Sequence, residues 1–466
     1  MDAGGGRTMS IKRLSDWAGI MRGELRGDDV EVTTLGIDTR KLQPGQVYLA
    51  IRGERFDGHD FVPQAEAAGA RALVVERWVD SRLPQIKVAD GRLALGYLSV
   101  AWRSQWGGPL VGVTGSNGKT TLKELVAALL SVVAPTYKTL GNLNNDIGVP
   151  LSLLALCPEH RYAVIEMGAN HAGEIDYVAR LAMPDVAIIS NAGPAHLEGF
   201  GSLEGVARAK GELLSSLREN GVAVLNADDA YLDYWRGLAG SHRVVSFGFS
   251  PAADVRADAD SIRTACTDER FYTDFDLLVA GQRLPLRLPL CGRHNVTNAL
   301  AAIAAVLSLG VDISRLAAGL EALHPVAGRL QPVRGQRGML LINDTYNANP
   351  ASLGAAFEVL STLPGPAWVA LGTLGELGEA SDELHAEVGL RAREAGVARL
   401  YATGAHVGHS VAAFGAGAFY CRDQAEMIEK IMNDAEVPAI LLVKGSRSQQ
   451  MERVIEALRS QDSTCC

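Results

Sequence analysis

The chain of 466 residues carries a formal net charge of -9, with 47% hydrophobic and 21% charged residues. That length exceeds what one hydrophobic core fills, so about three domains are expected. The apolar content excludes a disordered or fibrous chain, and the acidic balance excludes broad nonspecific contact with nucleic acid, which needs an excess of Lys and Arg on one face. Any anion must therefore be held by a local site. The six cysteines, Cys157, Cys266, Cys291, Cys421, Cys465 and Cys466, form no C-x-x-C pair, and no His stands at zinc-ligand spacing. They read as reduced thiols of a cytoplasmic protein. Residues Met1 to Arg13 hold no apolar leader core, and no segment reaches the roughly 18–20 uninterrupted apolar residues of a membrane span, so neither export nor a span is expected.

In chain order, the runs Val47-Tyr48-Leu49-Ala50-Ile51 and Ala72-Leu73-Val74-Val75 flank a helical stretch near residues 61–68, which predicts a small α/β unit. The composition breaks at Gly107-Gly108-Pro109, before the apolar run Leu110-Val111-Gly112-Val113, and this sets a first boundary after residue 108. Short β-rich runs, Ala163-Val164-Ile165, Val186-Ala187-Ile188-Ile189 and Val222-Ala223-Val224-Leu225, then alternate with helical stretches. Such alternation predicts a mostly parallel sheet covered by helices. A second break, His324-Pro325-Val326-Ala327-Gly328, sets a boundary after residue 325. Beyond it the alternation resumes with Met339-Leu340-Leu341-Ile342, Ala367-Trp368-Val369-Ala370-Leu371, Arg399-Leu400-Tyr401-Ala402 and Ala439-Ile440-Leu441-Leu442-Val443, a Rossmann-like pattern. The expected units are thus 1–108, 109–325 and 326–466.

The segment Gly115-Ser116-Asn117-Gly118-Lys119-Thr120-Thr121 joins the buried run at 110–113 to a helical stretch, the context of a phosphate-binding loop. Glycines let backbone N–H groups turn toward an anion, the helix N-terminus adds positive potential, Lys119 reaches the outer phosphates, and the Thr120 hydroxyl is a Mg²⁺ ligand. The loop does not choose between adenine and guanine. It is shorter than G-x-x-x-x-G-K-[ST], because Val113 stands where that pattern has its first glycine. Glu166 ends one strand and His196 follows another, positions where open α/β sheets place ligands. A carboxylate and a neutral imidazole complete the shell of a cation held by phosphate oxygens. Lys210 lies on the next helix, where a surface ion pair with Glu212 is the ordinary reading. Asn144 and Asn145, within Gly141-Asn142-Leu143-Asn144-Asn145-Asp146, enter a further helix and suit a phosphate or substrate rim.

The doubled G-x-x-G-K-T-T form resembles that of the Mur ligase superfamily, and the likeness extends along almost the whole chain. Arg293-His294-Asn295-Val296-Thr297-Asn298-Ala299 is similar to the family's H-N-x-x-N-A helix start, which implies Asn295 near the adenine of ATP. Gly328-Arg329 and Asp344 match the family's domain-junction Gly-Arg and the acid opening the third domain, implying that Arg329 and Asp344 contact the nucleotide. Several members carry a carbamylated lysine at the position of Lys210. The phrase Asn343-Asp344-Thr345-Tyr346-Asn347-Ala348-Asn349-Pro350 resembles that of the D-alanyl-D-alanine-adding branch. The D-Y-A-H-T-P and D-N-P-R motifs of the diamino-acid-adding relatives and the D-G-A-H-N-P of folylpolyglutamate synthases are absent. Gly36-Ile37-Asp38-Thr39-Arg40 and Asp57-Gly58-His59 resemble the family's uridine-nucleotide domain, with Thr39 where Ser is usual. Leu371-Gly372-Thr373-Leu374 stands for the commoner L-G-D-M before Glu376-Leu377-Gly378.

The resemblance implies a monomeric, three-domain α/β ligase that uses ATP and Mg²⁺, the metal held by Thr120, Glu166 and His196. Lys119, Glu166, His196 and Lys210 are the expected catalytic set. UDP-N-acetylmuramoyl-tripeptide would meet Asp38, Thr39, Arg40, Asp57 and His59, and D-alanyl-D-alanine would meet Asn347, Asn349, Lys444 and Arg447. The rival readings are a Mur-type ligase for another amino acid, a folylpolyglutamate synthase-like enzyme, and a nucleotide-gated binding module.

Overall fold

The computed structural model describes residues 11–53, 56–194, 197–267, 270–435 and 438–460. His196, one of the expected metal ligands, lies outside them. The apolar runs fall into three sheets, each with its own helices, giving the three-domain α/β architecture that the alternation predicts. The first sheet has five strands in the order 24–26, 85–87, 72–75, 47–49, 35–36, parallel except for the edge pair 24–26 and 85–87. The third has six, in the order 331–334, 340–344, 440–444, 367–372, 399–403, 418–421, again parallel apart from its first pair.

The central sheet is the largest, with ten strands. Leu110–Thr114 lies near its middle between Tyr162–Glu166 and Val186–Ile189, and all three bury both faces apart from Tyr162 at the rim, as helices on both sides require. Parallel pairing continues through Val222–Asn226, Arg243–Gly248 and Val255–Ala257. The far edge then turns antiparallel through Arg263–Thr267, Arg270–Val279 and Gln282–Leu288. One face of the central sheet packs beneath helices Lys119–Ser131 and Arg293–Ser308, the other beneath Gly148–Leu154 and Glu174–Ala182. Each Leu, Ile or Val fully buried there contributes about 1.5–3 kcal/mol.

Helix Gly91–Trp106, begun by an Asp90 cap on the Leu93 N–H, joins the first two sheets. Trp102 and Trp106 belong to the same apolar cluster as Leu153, Ile165 and Ile189 of the central unit. The buried Arg103 guanidinium donates to the carbonyls of Ala182 (2.8 Å), Gly108 (3.0 Å) and Met183 (3.2 Å) and pairs with Asp185 (3.2 Å). Among the described residues no helix is long and apolar enough to cross a membrane.

Candidate active site

The buried strand Leu110–Thr114 delivers its carboxyl end into Gly115, where φ is +146° and a Cβ would sit 1.9 Å from Ser190 Oγ. At Gly118 φ is +82° and a Cβ would meet Asn298 Oδ1 at 2.6 Å, so both positions demand glycine. The loop is braced from outside. Asn117 N–H donates to Asn191 Oδ1 (3.0 Å), and the Ser190 hydroxyl donates to Asn117 O (2.8 Å). Helix Lys119–Ser131 starts here, and residues 116–121 line a cavity of about 800 Å³. A helix N-terminus facing a cavity carries positive potential suited to phosphate. The Lys119 ammonium donates to the carbonyls of Gly115 (2.7 Å) and Ser116 (3.3 Å). Burial lowers its pKa, Glu166 opposes that shift, and Arg329 adds to it.

Glu166 enters the cavity from the neighbouring strand end and is 2% exposed. Its Oε1 accepts from Asn144 Nδ2 (2.8 Å), and its backbone N–H donates to Thr139 Oγ1 (3.0 Å). Oε2 is buried and accepts no hydrogen bond, a costly state for an anionic oxygen unless a cation meets it. Lys123 lies 3.9 Å away, its ammonium donating to Thr139 O (2.8 Å). The sequence reading missed Lys123. It stands four residues after Lys119, on the same helix face, and that spacing was its available signal. Asn145 also lines the cavity and caps helix Gly148–Leu154 by accepting from the Gly148 N–H (2.9 Å).

The third sheet supplies the opposite wall. Parallel pairing places Asp344 beside Lys444, and the Lys444 ammonium pairs with Asp344 Oδ2 and donates to Asn347 O (3.0 Å). Arg329 crosses to the phosphate loop, donating to Thr120 Oγ1 (2.9 Å) with its guanidinium 4.2 Å over the Tyr346 ring. Asn349 caps helix Pro350–Thr362 through Ser352 N–H (2.8 Å), while its Nδ2 donates to Asn117 Oδ1 (2.8 Å). Asn295 lines the cavity between Cys291 O and Asn298, to which its side chain is bonded. Beside it, burial pushes the pKa of His294 down to about 4, so the imidazole is neutral at neutral pH. Asn347 and Arg447 complete this wall, the latter paired with Glu452 (3.0 Å).

Residues 31–102 match the Mur ligase family catalytic domain, 113–306 the Mur ligase middle domain, and 328–447 the Mur ligase glutamate ligase domain. Over 459 residues the chain is 45% identical to the UDP-N-acetylmuramoyl-tripeptide--D-alanyl-D-alanine ligase of Escherichia coli (strain K12), covering 98% of this chain and 100% of that one. The chain belongs to the Mur ligase family. Among solved structures it is similar to MurF from Acinetobacter baumannii, with a TM-score of 0.89 at 36% identity over 96% of this chain and 99% of that one. It is also similar to the MurF ligase from Thermotoga maritima in complex with ADP, with a TM-score of 0.81 at 29% identity over 91% and 97%.

Other residues expected of a Mur ligase site lie outside the cavity lining. Lys210 is buried on helix Leu203–Gly211, its ammonium 5.0 Å over the Phe200 ring. Burial, reinforced by Lys119, pushes its pKa down to about 7. Glu212 serves a different role from the ordinary ion-pair reading, since its oxygens accept from the N–H groups of Gly173 (2.7 Å) and Asp176 (3.1 Å) at the start of helix Glu174–Ala182. Asp38, Thr39 and Arg40 form a turn beside the first sheet, with Arg40 bidentate to Asp38 (2.9 and 2.8 Å). That partner holds the Asp38 carboxyl down at about 2. The buried His59 ring is hydrogen-bonded within the first domain: Nδ1 lies 2.6 Å from Asp57 Oδ1, and Nε2 accepts from Glu76 N–H (2.8 Å). Asp57 also pairs with Arg77 (2.8 Å).

Proposed function

We infer that this Mur ligase uses ATP to join D-alanyl-D-alanine to UDP-N-acetylmuramoyl-tripeptide, a cytoplasmic step of peptidoglycan precursor synthesis. The observation that carries the reading is the cavity itself, where a phosphate loop and a buried carboxylate face residues 344–349 and 444–447 across a seam. Full-length likeness to the Escherichia coli ligase supports the choice of substrates.

A carboxylate is a poor electrophile until its charge is neutralised and it gains a leaving group. Phosphorylation by ATP does both. Lys119 and the first-turn amides stabilise the phosphoryl group in flight, and Arg329 reaches the same phosphates from the third domain. The product is an acyl phosphate. The amine of the dipeptide, entering beside Asn347 and Asn349, attacks the acyl carbon and inorganic phosphate leaves. The Arg329–Thr120 and Asn349–Asn117 contacts tie the third domain to the phosphate loop, and closure of that domain over the bound substrates would exclude water from the acyl phosphate.

The residues present fit a divalent cation. Glu166 Oε2 is a buried carboxylate oxygen without a donor, and the Thr120 hydroxyl lines the same cavity. These are oxygen donors of the kind Mg²⁺ takes, with phosphate and water completing its shell. When bound, Mg²⁺ neutralises charge on the transferred phosphoryl group. His196 is the further ligand proposed from sequence. Lys210, with an amine partly neutral near pH 7, is proposed to carry a carbamate, an anion that Lys119 attracts where it repels the ammonium. Asp38, Thr39 and Arg40 are proposed to hold the uridine nucleotide, on a first unit of residues 1–108 that abuts an ATP-binding unit of 109–325 and a closing unit of 326–466.

Mass spectrometry of the products tests this reading. ADP and phosphate should form only when the uridine tripeptide and D-alanyl-D-alanine are both present, together with a product in which the two are joined. Turnover that ignores the dipeptide would identify a nucleotide-gated module, and turnover only with a diamino acid would identify the sister ligase.

A further inference from the structure

Lys123 is a buried cation to which the phosphoryl chemistry gives no task. It is 2% exposed and stands on helix Lys119–Ser131, one turn beyond the residues that face the phosphates. Its ammonium has three N–H groups to place. Thr139 O lies 2.8 Å from the nitrogen, Glu124 Oε1 3.3 Å and Gly141 O 3.5 Å. Glu166 Oε2 lies further off, at 3.9 Å, beyond hydrogen-bonding reach. The cation therefore stands beside the carboxylate without capping it.

The two carbonyls that Lys123 holds belong to the segment that grips Glu166. Thr139 is 1% exposed; its N–H donates to Val164 O (3.0 Å), and its hydroxyl accepts from Glu166 N–H (3.0 Å). Further along, Asn144 O accepts from Gly168 N–H (2.8 Å), and Asn144 Nδ2 donates to Glu166 Oε1 (2.8 Å). Residues 139–144 are thus laid along the strand end from Val164 to Gly168, and they hold Glu166 by its backbone and by one carboxylate oxygen. Lys123 pins that segment to the helix, and Glu124 adds a second link by pairing with Lys138. The same helix carries the Thr120 hydroxyl, three residues before Lys123 and on the same face.

From this geometry we infer that Lys123 is a positioning residue of the metal site: it fixes the spacing between the Thr120 hydroxyl and Glu166 Oε2 and leaves that oxygen open for the cation. The inference rests on the reading that Glu166 takes Mg²⁺. Lys123 does not line the cavity, so it acts through Glu166 and the 139–144 segment. Mg²⁺ demands near-octahedral oxygen ligands at about 2.0–2.1 Å, and a small change in ligand spacing therefore costs affinity. An ammonium that served only as counter-charge would oppose the metal, and its removal would tighten Mg²⁺ binding. The positioning role predicts the reverse.

Calorimetric titration of ADP into each protein, once with Mg²⁺ and once with EDTA, tests this without turnover, because the ratio of the two dissociation constants reads the metal's contribution. Lys123→Met should lower that ratio toward one, by about tenfold, while ADP affinity in EDTA stays close to that of wild type. Asn144→Ala removes the donor to Oε1 at a partly exposed position and should show the same metal-selective loss. A ratio unchanged or raised in Lys123→Met overturns the inference, and so does equal loss of ADP affinity with and without Mg²⁺. An unchanged ratio in Asn144→Ala overturns it even where Lys123→Met does not fold. A wild-type ratio near one would instead overturn the assignment of Glu166 to the metal beneath it.

Discussion

Lys444 was expected to touch substrate, yet its ammonium is committed to Asp344, and Lys444→Met separates these roles. The Lys444 side chain is 3% exposed and that of Asp344 12%. Removing the cation leaves a buried carboxylate whose remaining described contact is the Leu330 N–H at 3.2 Å. Breaking a buried pair from one side costs about 3–5 kcal/mol, because the surviving charge is uncompensated. Asp344 keeps one donor, so the lower end, about 3 kcal/mol, is expected. The double variant Asp344→Asn, Lys444→Met should recover most of the loss, since Asn still accepts from Leu330 and no charge is stranded. Urea unfolding followed by circular dichroism gives the stability, and dipeptide kinetics in the same preparations give the affinity. A Lys444→Met enzyme within about 1 kcal/mol of wild type but with a greatly raised dipeptide KM would refute the structural assignment and make Lys444 a ligand.

Lys119→Ala should lower kcat about 10²–10³-fold with an unchanged circular dichroism spectrum, because the ammonium bonds only loop carbonyls; near-normal turnover would remove the phosphate-loop assignment. Lys210→Ala should lose most ligation and regain part of it in acetate, whereas full activity without acetate would leave Lys210 a buried structural cation. Arg40→Ala should weaken binding of the uridine substrate in calorimetric titrations and leave ATP binding alone; equal loss of both would contradict their separation into different domains. Burial lowers the pKa of His385, so as pH falls below about 6.5 the unfolded chain takes up a proton that the folded chain refuses. Stability from this group is therefore present above that pH and lost below it, at up to about 1.4 kcal/mol per pH unit; urea midpoints that do not flatten in His385→Gln would speak against it.

What could be read in the sequence was what the chain writes locally. Gly115 to Thr121 sits between a buried strand and a helix within some twenty residues, whereas the side chains that crowd its two glycines, Ser190 and Asn298, come from far along the chain. Glu166 was legible because a carboxylate ending a parallel strand has few other places to go. Asp344 and Lys444 were each legible as motif residues, but their pairing spans 100 positions and depends on strand order, which periodicity does not encode. The same holds for Asn349, read as a substrate contact and found bonded to Asn117. The strands Arg263–Thr267, Arg270–Val279 and Gln282–Leu288 were missed although Phe271, Thr273, Phe275 and Leu277 alternate inward with period two. Only the fold shows that His59 turns inward.

The weld made by helix Gly91–Trp106 also sets an order of events at the ribosome. Trp102 and Trp106 donate to the carbonyls of Leu156 (2.8 Å) and His160 (3.0 Å), and Arg103 to those of Ala182 and Met183. All of these partners are translated after the helix that needs them. At about 5–20 residues per second, the roughly 77 residues from Trp106 to Met183 take about 4–15 s to appear. During that interval the nascent first domain has its sheet complete but carries two tryptophans and a guanidinium with nowhere to dock, and it is then that a chaperone would find it.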